Sequence, residues 1–390
     1  MNLFIVPSWY PSDSNPSYGI FIKDQIKMMA HLRPDWKIGV SSWGQGSNEK
    51  LIWIKDHYKN LTKIRRHQKD TPSTINNEGF KEFYQPALTW TKRFKKGNLK
   101  EIIRCNEINY QSHTQSFGKP DVIMVQATYP GVLIGEYLSE KYDIPFHLHI
   151  RLGGFMFEQL LSDLGGMRRQ TLSAISKAKL VTVTSDFHAK EIAKWVPETK
   201  TLYNPVDTQF FDVHDKNEQY VLAVGRLEHE KGFDLLIEAV AQIDGLNLKI
   251  IGGGAQRDAL ERKISHLKLE DRVELIGEKN RVGVKLYMQN CQFLMLPSRY
   301  ETFGNVLLEA MACGKPVVAT NCGGPSEIVT KDTGLISEVS VSDLKEKIVA
   351  MINSNQQYDP KLIRHSIDNK FSPEVWIVRL ETQLTSAIKK

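Results

Sequence analysis

The stretch Gly225-Arg226-Leu227-Glu228-His229-Glu230-Lys231-Gly232 follows a short apolar run and precedes an amphipathic one. It sets a planar guanidinium, an ammonium and helix-start amides near one point, which are the parts of a phosphate clamp. Taken alone, the same stretch reads equally as a solvated charged turn. A second region, Pro297-Ser298-Arg299-Tyr300-Glu301-Thr302-Phe303-Gly304-Asn305-Val306-Leu307-Leu308-Glu309, follows another apolar run. Glu301 falls in its loop and Glu309 inside the next helix, about 12 Å further along the axis. Carboxylates that far apart do not share a proton. They can hold opposite ends of one elongated ligand, with the amides of Phe303–Val306 meeting an anion between them. A sugar joined to a nucleoside through a diphosphate has that layout.

The elements that must position these residues alternate. Strands are expected at Leu3–Val6, Lys37–Ser42, Val122–Gln126, Pro145–Ile150 and Leu180–Thr184, with helices at Phe21–Leu32 and Gly131–Lys141. The pattern restarts at Tyr220, with strands at Val221–Val224, Leu248–Ile251, Val273–Ile276, Phe293–Leu296, Pro316–Ala319 and Gly334–Ile336. Helices are expected between them, at Gly232–Ile243, Ala255–Leu267, Gly283–Asn290, Asn305–Cys313, Ser326–Val329 and Ser342–Ser354. Such alternation predicts an α/β chain with two doubly wound Rossmann-like domains facing a central cleft. We expect the first domain over residues 1–204, a polar linker over 205–218 and the second domain over 219–372. A final helix over 373–390 is placed to cap either domain, including by crossing back to the first. Thr71–Gly79 reads as loop, because the region around it shows little β alternation.

Composition narrows the class. The chain has 390 residues, 41% hydrophobic and 25% charged, with 26 Gly and 16 Pro. Those values exclude disordered and collagen-like descriptions of the whole chain. No apolar run approaches the ~20 residues of a membrane span. The start, Met-Asn-Leu-Phe-Ile-Val-Pro, lacks the basic flank and length of a signal peptide, so a cytoplasmic protein is expected. The four cysteines (Cys105, Cys291, Cys313, Cys322) form no C-x-x-C pair and read as small buried hydrophobes. Ile251-Gly252-Gly253-Gly254 lacks the third glycine of a dinucleotide fingerprint, and Gly314-Lys315 is followed by Pro316, which breaks a P-loop. No H-E-x-x-H, G-x-S-x-G or D-x-D is present.

In this setting the chain resembles the retaining family-4 glycosyltransferases, which have the two-domain GT-B fold. The matching stretches are VGRLEHEKGFDLLIEA at Val224–Ala239, LKIIGGGAQRDAL at Leu248–Leu260 and PSRYETFGNVLLEAMACGKPVVAT, followed by Gly323-Gly324-Pro325-Ser326-Glu327. Tyr203-Asn204-Pro205-Val206-Asp207 is similar to the family's interdomain Asn-x-Val-Asp turn. The resemblance implies that Arg226, Lys231 and Glu301 are the catalytic residues. Arg226 and Lys231 would bind the donor diphosphate, and Glu301 would hold the transferred sugar with Thr302, Phe303, Gly304, Asn305 and Val306. Glu309 would hold the ribose. Gly225, Glu278 and Lys279 would lie along the donor, and Gly19 would admit its phosphate close to the first domain's backbone. The implied reaction transfers a sugar from a UDP- or GDP-linked donor to a glycan or lipid-linked acceptor, in bacterial surface polysaccharide assembly. It implies no cofactor and no obligatory metal.

The first half departs from the family pattern. Gln126 and Arg151 stand where many members carry histidines, and an arginine cannot act as a base near neutral pH. Arg151 can still pair with a phosphate or an anionic acceptor. Gln126, His149 and Arg151 are therefore the acceptor-side candidates, and His147 reads as core. These departures leave a second reading open, a non-catalytic nucleotide-sugar-binding or scaffold subunit. Net charge is +6, yet residues 55–104 alone carry thirteen Lys/Arg against five acids, with six aromatics interleaved and a seventh, Trp53, just before them. That stretch is expected either to dock on an anionic membrane surface or an anionic glycan, making the protein peripheral on the inner membrane face, or to be a solvated face over a packed core. A nucleic-acid partner is not expected.

Overall fold

The computed structural model describes residues 1–390 except 13, 14, 17, 46, 48, 49, 54, 55, 91–94, 215–217, 355, 356 and 390. Lys55, Lys92 and Arg93 of the basic stretch thus lie outside the described residues. The chain divides into two compact units. Unit one is Met1–Val183, Glu191–Leu202 and Ile377–Lys390; unit two is Thr184–Lys190 and Tyr203–Trp376.

In unit one the strands are β1 (Asn2–Pro7), β2 (Lys37–Ser42), β3 (Leu51–Ile52), β4 (Ser73–Asn77), β5 (Phe80–Tyr84), β6 (Thr89–Trp90), β7 (Val122–Gln126), β8 (Phe146–Ile150), β9 (Leu180–Val183) and β10 (Lys200–Thr201). The helices are α1 (Ile20–Leu32), α2 (His57–Lys69), α3 (Lys95–Phe117), α4 (Gly131–Tyr142), α5 (Gly154–Leu164) and α6 (Arg168–Ser176), with α7 (Asp186–Ile192) lying where the chain divides. An eight-stranded sheet runs in the order β10-β9-β8-β7-β1-β2-β5-β4. Helices cover both faces, so β1 is an unbroken apolar run, with Leu3, Phe4, Ile5 and Val6 fully buried.

The loop expected at Thr71–Gly79 is instead half of a hairpin. β4 pairs antiparallel with β5, Asn77 opposite Phe80, and β5 adds in parallel to β2. Glu78-Gly79 is the two-residue turn, and Gly79 has φ +77°. Because β4 is an exposed edge strand of polar residues, it carries no apolar alternation.

In unit two the strands are β11 (Val221–Val224), β12 (Leu248–Ile251), β13 (Val273–Gly277), β14 (Leu294–Leu296), β15 (Val317–Thr320) and β16 (Gly334–Ser337). The helices are α8 (Phe233–Val240), α9 (Arg257–His266), α10 (Arg281–Asn290), α11 (Asn305–Ala312), α12 (Val341–Ser354), α13 (Pro360–Phe371) and α14 (Pro373–Ile388), whose residues from Ile377 onward join unit one. There Arg33 forks onto Glu381, at 3.0 and 2.8 Å, and Gln383 donates to the Thr201 carbonyl. The expected linker, 205–218, falls within unit two, and among its described residues Val206 and Phe211 are buried in the core that covers α11 and α13. Its polar composition hides those two anchors.

His113 ties β1, β2, β5 and α3 together. Its Nε2 donates to Asn2 Oδ1 at 2.9 Å, and Asn2 Nδ2 reaches the carbonyls of Phe117, Gly118 and Lys119 at 3.1 Å. The ring meets Phe4, Phe83 and Phe117 edge-on, over Gly39. Burial lowers His113 from the ordinary 6.5 to about 4. The unfolded chain therefore takes up a proton that the folded one refuses between those values, and stability rises with pH through that window. The term is at most about 1.4 kcal/mol per pH unit. Thermal melts of the wild type should fall more steeply from pH 6.5 to pH 4 than those of His113→Gln; parallel falls would contradict this.

Candidate functional site

The six strands of unit two are parallel, in the order β13-β12-β11-β14-β15-β16. The chain winds outward from β11 to β13, then returns to the other side of β11 with β14. That reversal leaves a crevice at the carboxyl ends of β11 and β14, where ligands of open α/β sheets bind. The two loops singled out above leave those two strands.

They meet backbone to backbone. Gly232 adopts φ +66° at the start of α8, and a Cβ there would lie 2.0 Å from the Pro297 carbonyl oxygen. Arg299 locks the contact. Its amide donates to the Glu230 carbonyl at 2.8 Å, its Nη1 to the His229 carbonyl at 2.9 Å, and its fork grips Asp234 with two bonds of 2.7 Å. Burial alone would raise the Asp234 carboxyl, but the Arg299 fork outweighs it and holds the group below the usual range. The consequence is that Lys231 Nζ sits 2.6 Å from Glu301 Oε2, with both side chains largely shielded from solvent.

The β14 loop is fastened on its other side as well. Glu301 makes an isolated parallel bridge with Gly323, its amide donating to the Cys322 carbonyl and its carbonyl accepting from Gly324. The Thr302 carbonyl accepts from Ser185 Oγ at 2.5 Å. Phe303 is buried, stacked on Tyr203 at 5.6 Å. Gly304, at φ +102°, starts α11 and leaves the amides of Asn305 and Val306 at its amino end. Asn305 Oδ1 accepts from Asn204 at 3.0 Å. Glu309 lies on α11, and no hydrogen bond reaches its carboxylate among the described residues. Burial pushes that carboxyl up to about 7, opposed by Arg281.

The other candidates are placed as follows. Arg226 is two-thirds exposed and pairs with Glu230 at 3.3 Å. Gly225 donates to the Ile251 carbonyl, and a Cβ on Gly252 would lie 1.9 Å from the Gly225 oxygen, so the loops after β11 and β12 also touch through backbone. Glu278 and Lys279 are exposed, with the Glu278 carboxylate over Gly253. In unit one, Gly19 has φ +72° against the Trp9–Tyr10 backbone. Gln126 Oε1 and Gln25 Oε1 both accept from Arg151 Nη2, at 2.8 and 2.6 Å, and Phe21 lies under that guanidinium. Burial lowers the Arg151 pKa to about 9. His149 and His147 are buried on β8, both 2.7 Å from the Thr182 hydroxyl.

Two positioning residues escaped the sequence reading. Arg299 carries no role by its motif alone; its charge, set between a buried strand and a helix start, is the signal for one. Glu327 accepts from the amides of Asp186 and Phe187, at 3.0 and 2.6 Å, and from the Tyr203 hydroxyl. It thereby caps α7 beside the residue that holds Thr302. Nothing in the sequence pairs positions so far apart. Among the described residues no group of three or more His, Cys, Asp or Glu is placed to hold a metal ion.

The family model for "Glycosyl transferases group 1" matches residues 207–366. An uncharacterized glycosyltransferase of Methanocaldococcus jannaschii is 30% identical over 268 residues, covering 66% of this chain and 75% of that one. The N-acetylgalactosamine-N,N'-diacetylbacillosaminyl-diphospho-undecaprenol 4-alpha-N-acetylgalactosaminyltransferase of Campylobacter jejuni is 37% identical over 147 residues, which is 35% of this chain and 40% of that one. Among solved structures, the Anabaena protein HepE in complex with UDP superposes with a TM-score of 0.69 at 20% identity, over 99% of each chain. That likeness shows the fold, the GT-B arrangement of two doubly wound units.

The half-buried Glu309, with its raised carboxyl, yields a test of the site's electrostatics. Its folded pKa of about 7 lies above the ordinary 4.5, so the folded state keeps a proton that the unfolded chain releases. The resulting stability is full below 4.5 and lost as pH rises through 7. In urea or thermal denaturation, the wild type should lose ground to Glu309→Gln between pH 5 and pH 8, ending the less stable of the two. Parallel curves would contradict the burial of the charge.

Proposed function

We propose that this chain, which belongs to the group 1 glycosyl transferases, is a retaining enzyme that moves a sugar from a nucleoside-diphosphate donor to a glycan or lipid-linked acceptor. The observation that carries the reading is the Lys231–Glu301 contact at the carboxyl ends of β11 and β14, beside the amino end of α11. One cation, one carboxylate and a set of free amides converge there. Glu309, further along the same helix, has no hydrogen-bonded partner of its own among the described residues. A diphosphate fits the cation and the amides, a hexose fits Glu301, and a ribose fits Glu309.

In this reading the bond between the sugar's anomeric carbon and the diphosphate oxygen breaks, and a bond from that carbon to the acceptor oxygen forms on the same face. The acceptor's proton passes to the leaving diphosphate, so no protein base and no covalent intermediate are needed. Lys231 and the α11 amides stabilise the negative charge that grows on the diphosphate. They are preorganised, held by the Gly232 and Gly304 backbones before the ligand arrives. Arg226, on the same loop as Lys231, swings from Glu230 to the diphosphate when the donor binds. With charge supplied by side chains and amides, the reaction proceeds without a divalent cation. The nucleotide is UDP or GDP; the Anabaena protein's complex with UDP supports the first. The Campylobacter relative's name gives it a diphospho-undecaprenol-linked acceptor, which supports a role in lipid-linked or surface polysaccharide assembly.

A cytoplasmic site at the inner membrane face suits such an acceptor. No described helix is long and apolar enough to cross a membrane. Helix α2 carries Lys59, Lys63, Arg65, Arg66 and Lys69 without an acid, and exposes Tyr58 and Leu61. We assign it to docking on anionic lipid, each basic residue contributing about 1 kcal/mol near the surface.

Two measurements test these assignments. Sugar transfer or donor hydrolysis should fall roughly a hundredfold or more in Lys231→Ala and in Glu301→Ala with the fold retained, and EDTA should leave the wild-type rate unchanged. Equal turnover in the variants would defeat the site, and a strict Mn²⁺ requirement would defeat the metal-free reading. In low-salt co-sedimentation, the protein should pellet with vesicles containing phosphatidylglycerol and not with phosphatidylcholine alone; equal binding to both would defeat the membrane assignment.

A further inference from the structure

A loop that holds a sugar to within a fraction of an ångström needs support on more than one side. Gly232 and Asp234 fasten the first residues of the β14 loop, Pro297 and Arg299. Its later residues lean on two other stretches of unit two, Thr184–Lys190 and the stretch that starts at Tyr203. These are the places at which the chain enters unit two from unit one. From the first stretch, Ser185 Oγ donates to the Thr302 carbonyl at 2.5 Å. Phe187 packs against Gly323, where a Cβ would lie 2.4 Å from its ring, and its centroid is 6.3 Å from that of Tyr300. Gly323 is also the residue that bridges Glu301. Both chain neighbours of Glu301, and its bridging partner, thus rest on one short segment. From the second stretch, Tyr203 stacks on Phe303 at 5.6 Å, and Asn204 donates to Asn305 Oδ1 at 3.0 Å.

One carboxylate joins the two stretches. Glu327 Oε1 accepts from the Phe187 amide at 2.6 Å, and its Oε2 accepts from the Asp186 amide at 3.0 Å and the Tyr203 hydroxyl at 3.2 Å. Bonds from amides to an ionised carboxylate are roughly twice as strong as neutral ones, so this is a firm anchor. The backbone of Glu327 belongs to the same assembly. It closes the short 3₁₀ turn Gly324–Glu327, whose first amide donates to the Glu301 carbonyl at 3.0 Å. Its own carbonyl accepts from Lys370 at 3.0 Å. The side chain therefore sets the supports of Thr302 and Phe303, while the turn it ends sets Glu301. None of these bonds reaches Lys231 or the loop after β11. What Glu327 controls is the end of the site that faces the sugar.

We infer that Glu327 is a positioning residue for the transferred sugar, holding Glu301 and Thr302 in place through Ser185, Phe187 and Tyr203 and leaving the grip on the nucleotide to other groups. Its part in sugar transfer rests on the transferase reading above. Two readouts test it. Hydrogen exchange on peptides spanning residues 299–305 needs no ligand. Glu327→Gln, which offers one acceptor oxygen in place of two, should speed exchange there about tenfold, and Ser185→Ala should do likewise. Hydrolysis of UDP-glucose and of GDP-mannose reads the sugar end. In both variants kcat on whichever donor the wild type turns over should fall roughly ten- to a hundredfold, while thermal stabilisation by UDP or GDP stays at the wild-type level. Combining the two substitutions should cost little beyond Glu327→Gln alone, because both act along one route. Tyr203→Phe keeps its ring and loses only the hydroxyl. It should show a smaller fall of the same kind, and it is conservative enough to fold even if Glu327→Gln does not. Unchanged exchange at 299–305, a wild-type kcat in the variants, or kcat and nucleotide stabilisation lost in equal measure would overturn the proposal. Faster exchange in the variants with no nucleotide response in the wild type would support the anchoring and contradict only the donor reading.

Discussion

At Gly232 one loop's backbone presses against another's so closely that no side chain larger than hydrogen fits beneath the Pro297 carbonyl. The rest of the site depends on that contact. It sets the height of the β11 loop against the β14 loop, and the Arg299 fork on Asp234 fixes the angle. Two residues seventy positions apart in sequence, Lys231 and Glu301, then meet at 2.6 Å. A side chain at Gly232 would separate the loops and dissolve the pairing without touching either charged group.

The pairing also explains how a cation and a carboxylate can wait, shielded, for a ligand. Each neutralises the other in a setting where an isolated charge would be costly. In the proposed reading a bound diphosphate would offer Lys231 a stronger partner and free Glu301 to accept hydrogen bonds from hydroxyl groups. Glu309 solves the same problem differently. Lacking a hydrogen-bonded partner, it holds its proton up to about pH 7. Both devices limit the net charge of the site. The scaffold behind them is stiff: Phe303 is buried against Tyr203 and Phe371, and Thr302 is tied to Ser185.

Unit two was legible in the sequence because its signals are local. Each strand is a short apolar run and each helix an amphipathic one, so the strands at Val221–Val224 and Leu248–Ile251 appear where the pattern places them. Lys231 and Glu301 were visible because each lies in the loop after a strand, and Glu309 because it falls in the helix that follows. What escaped notice is long-range. The forks of Arg299 onto Asp234 and the cap of Glu327 on α7 join segments that no spacing rule connects. In unit one the hairpin of β4 and β5 was missed because its edge strand is polar on both faces. The packing of 205–218 was missed because two buried residues carry it. Arg226 is exposed beside Glu230, a pairing its place in the motif does not foretell.

If the Lys231–Glu301 contact is the seat of a diphosphate, a crystal of the protein soaked with a UDP- or GDP-linked sugar will show it. The diphosphate should lie within hydrogen-bonding distance of Lys231 Nζ and of the amides that begin α11, with Glu301 released to the sugar and Glu309 on the ribose. A nucleotide seated elsewhere in unit two, with the Lys231–Glu301 pair still closed, would contradict it.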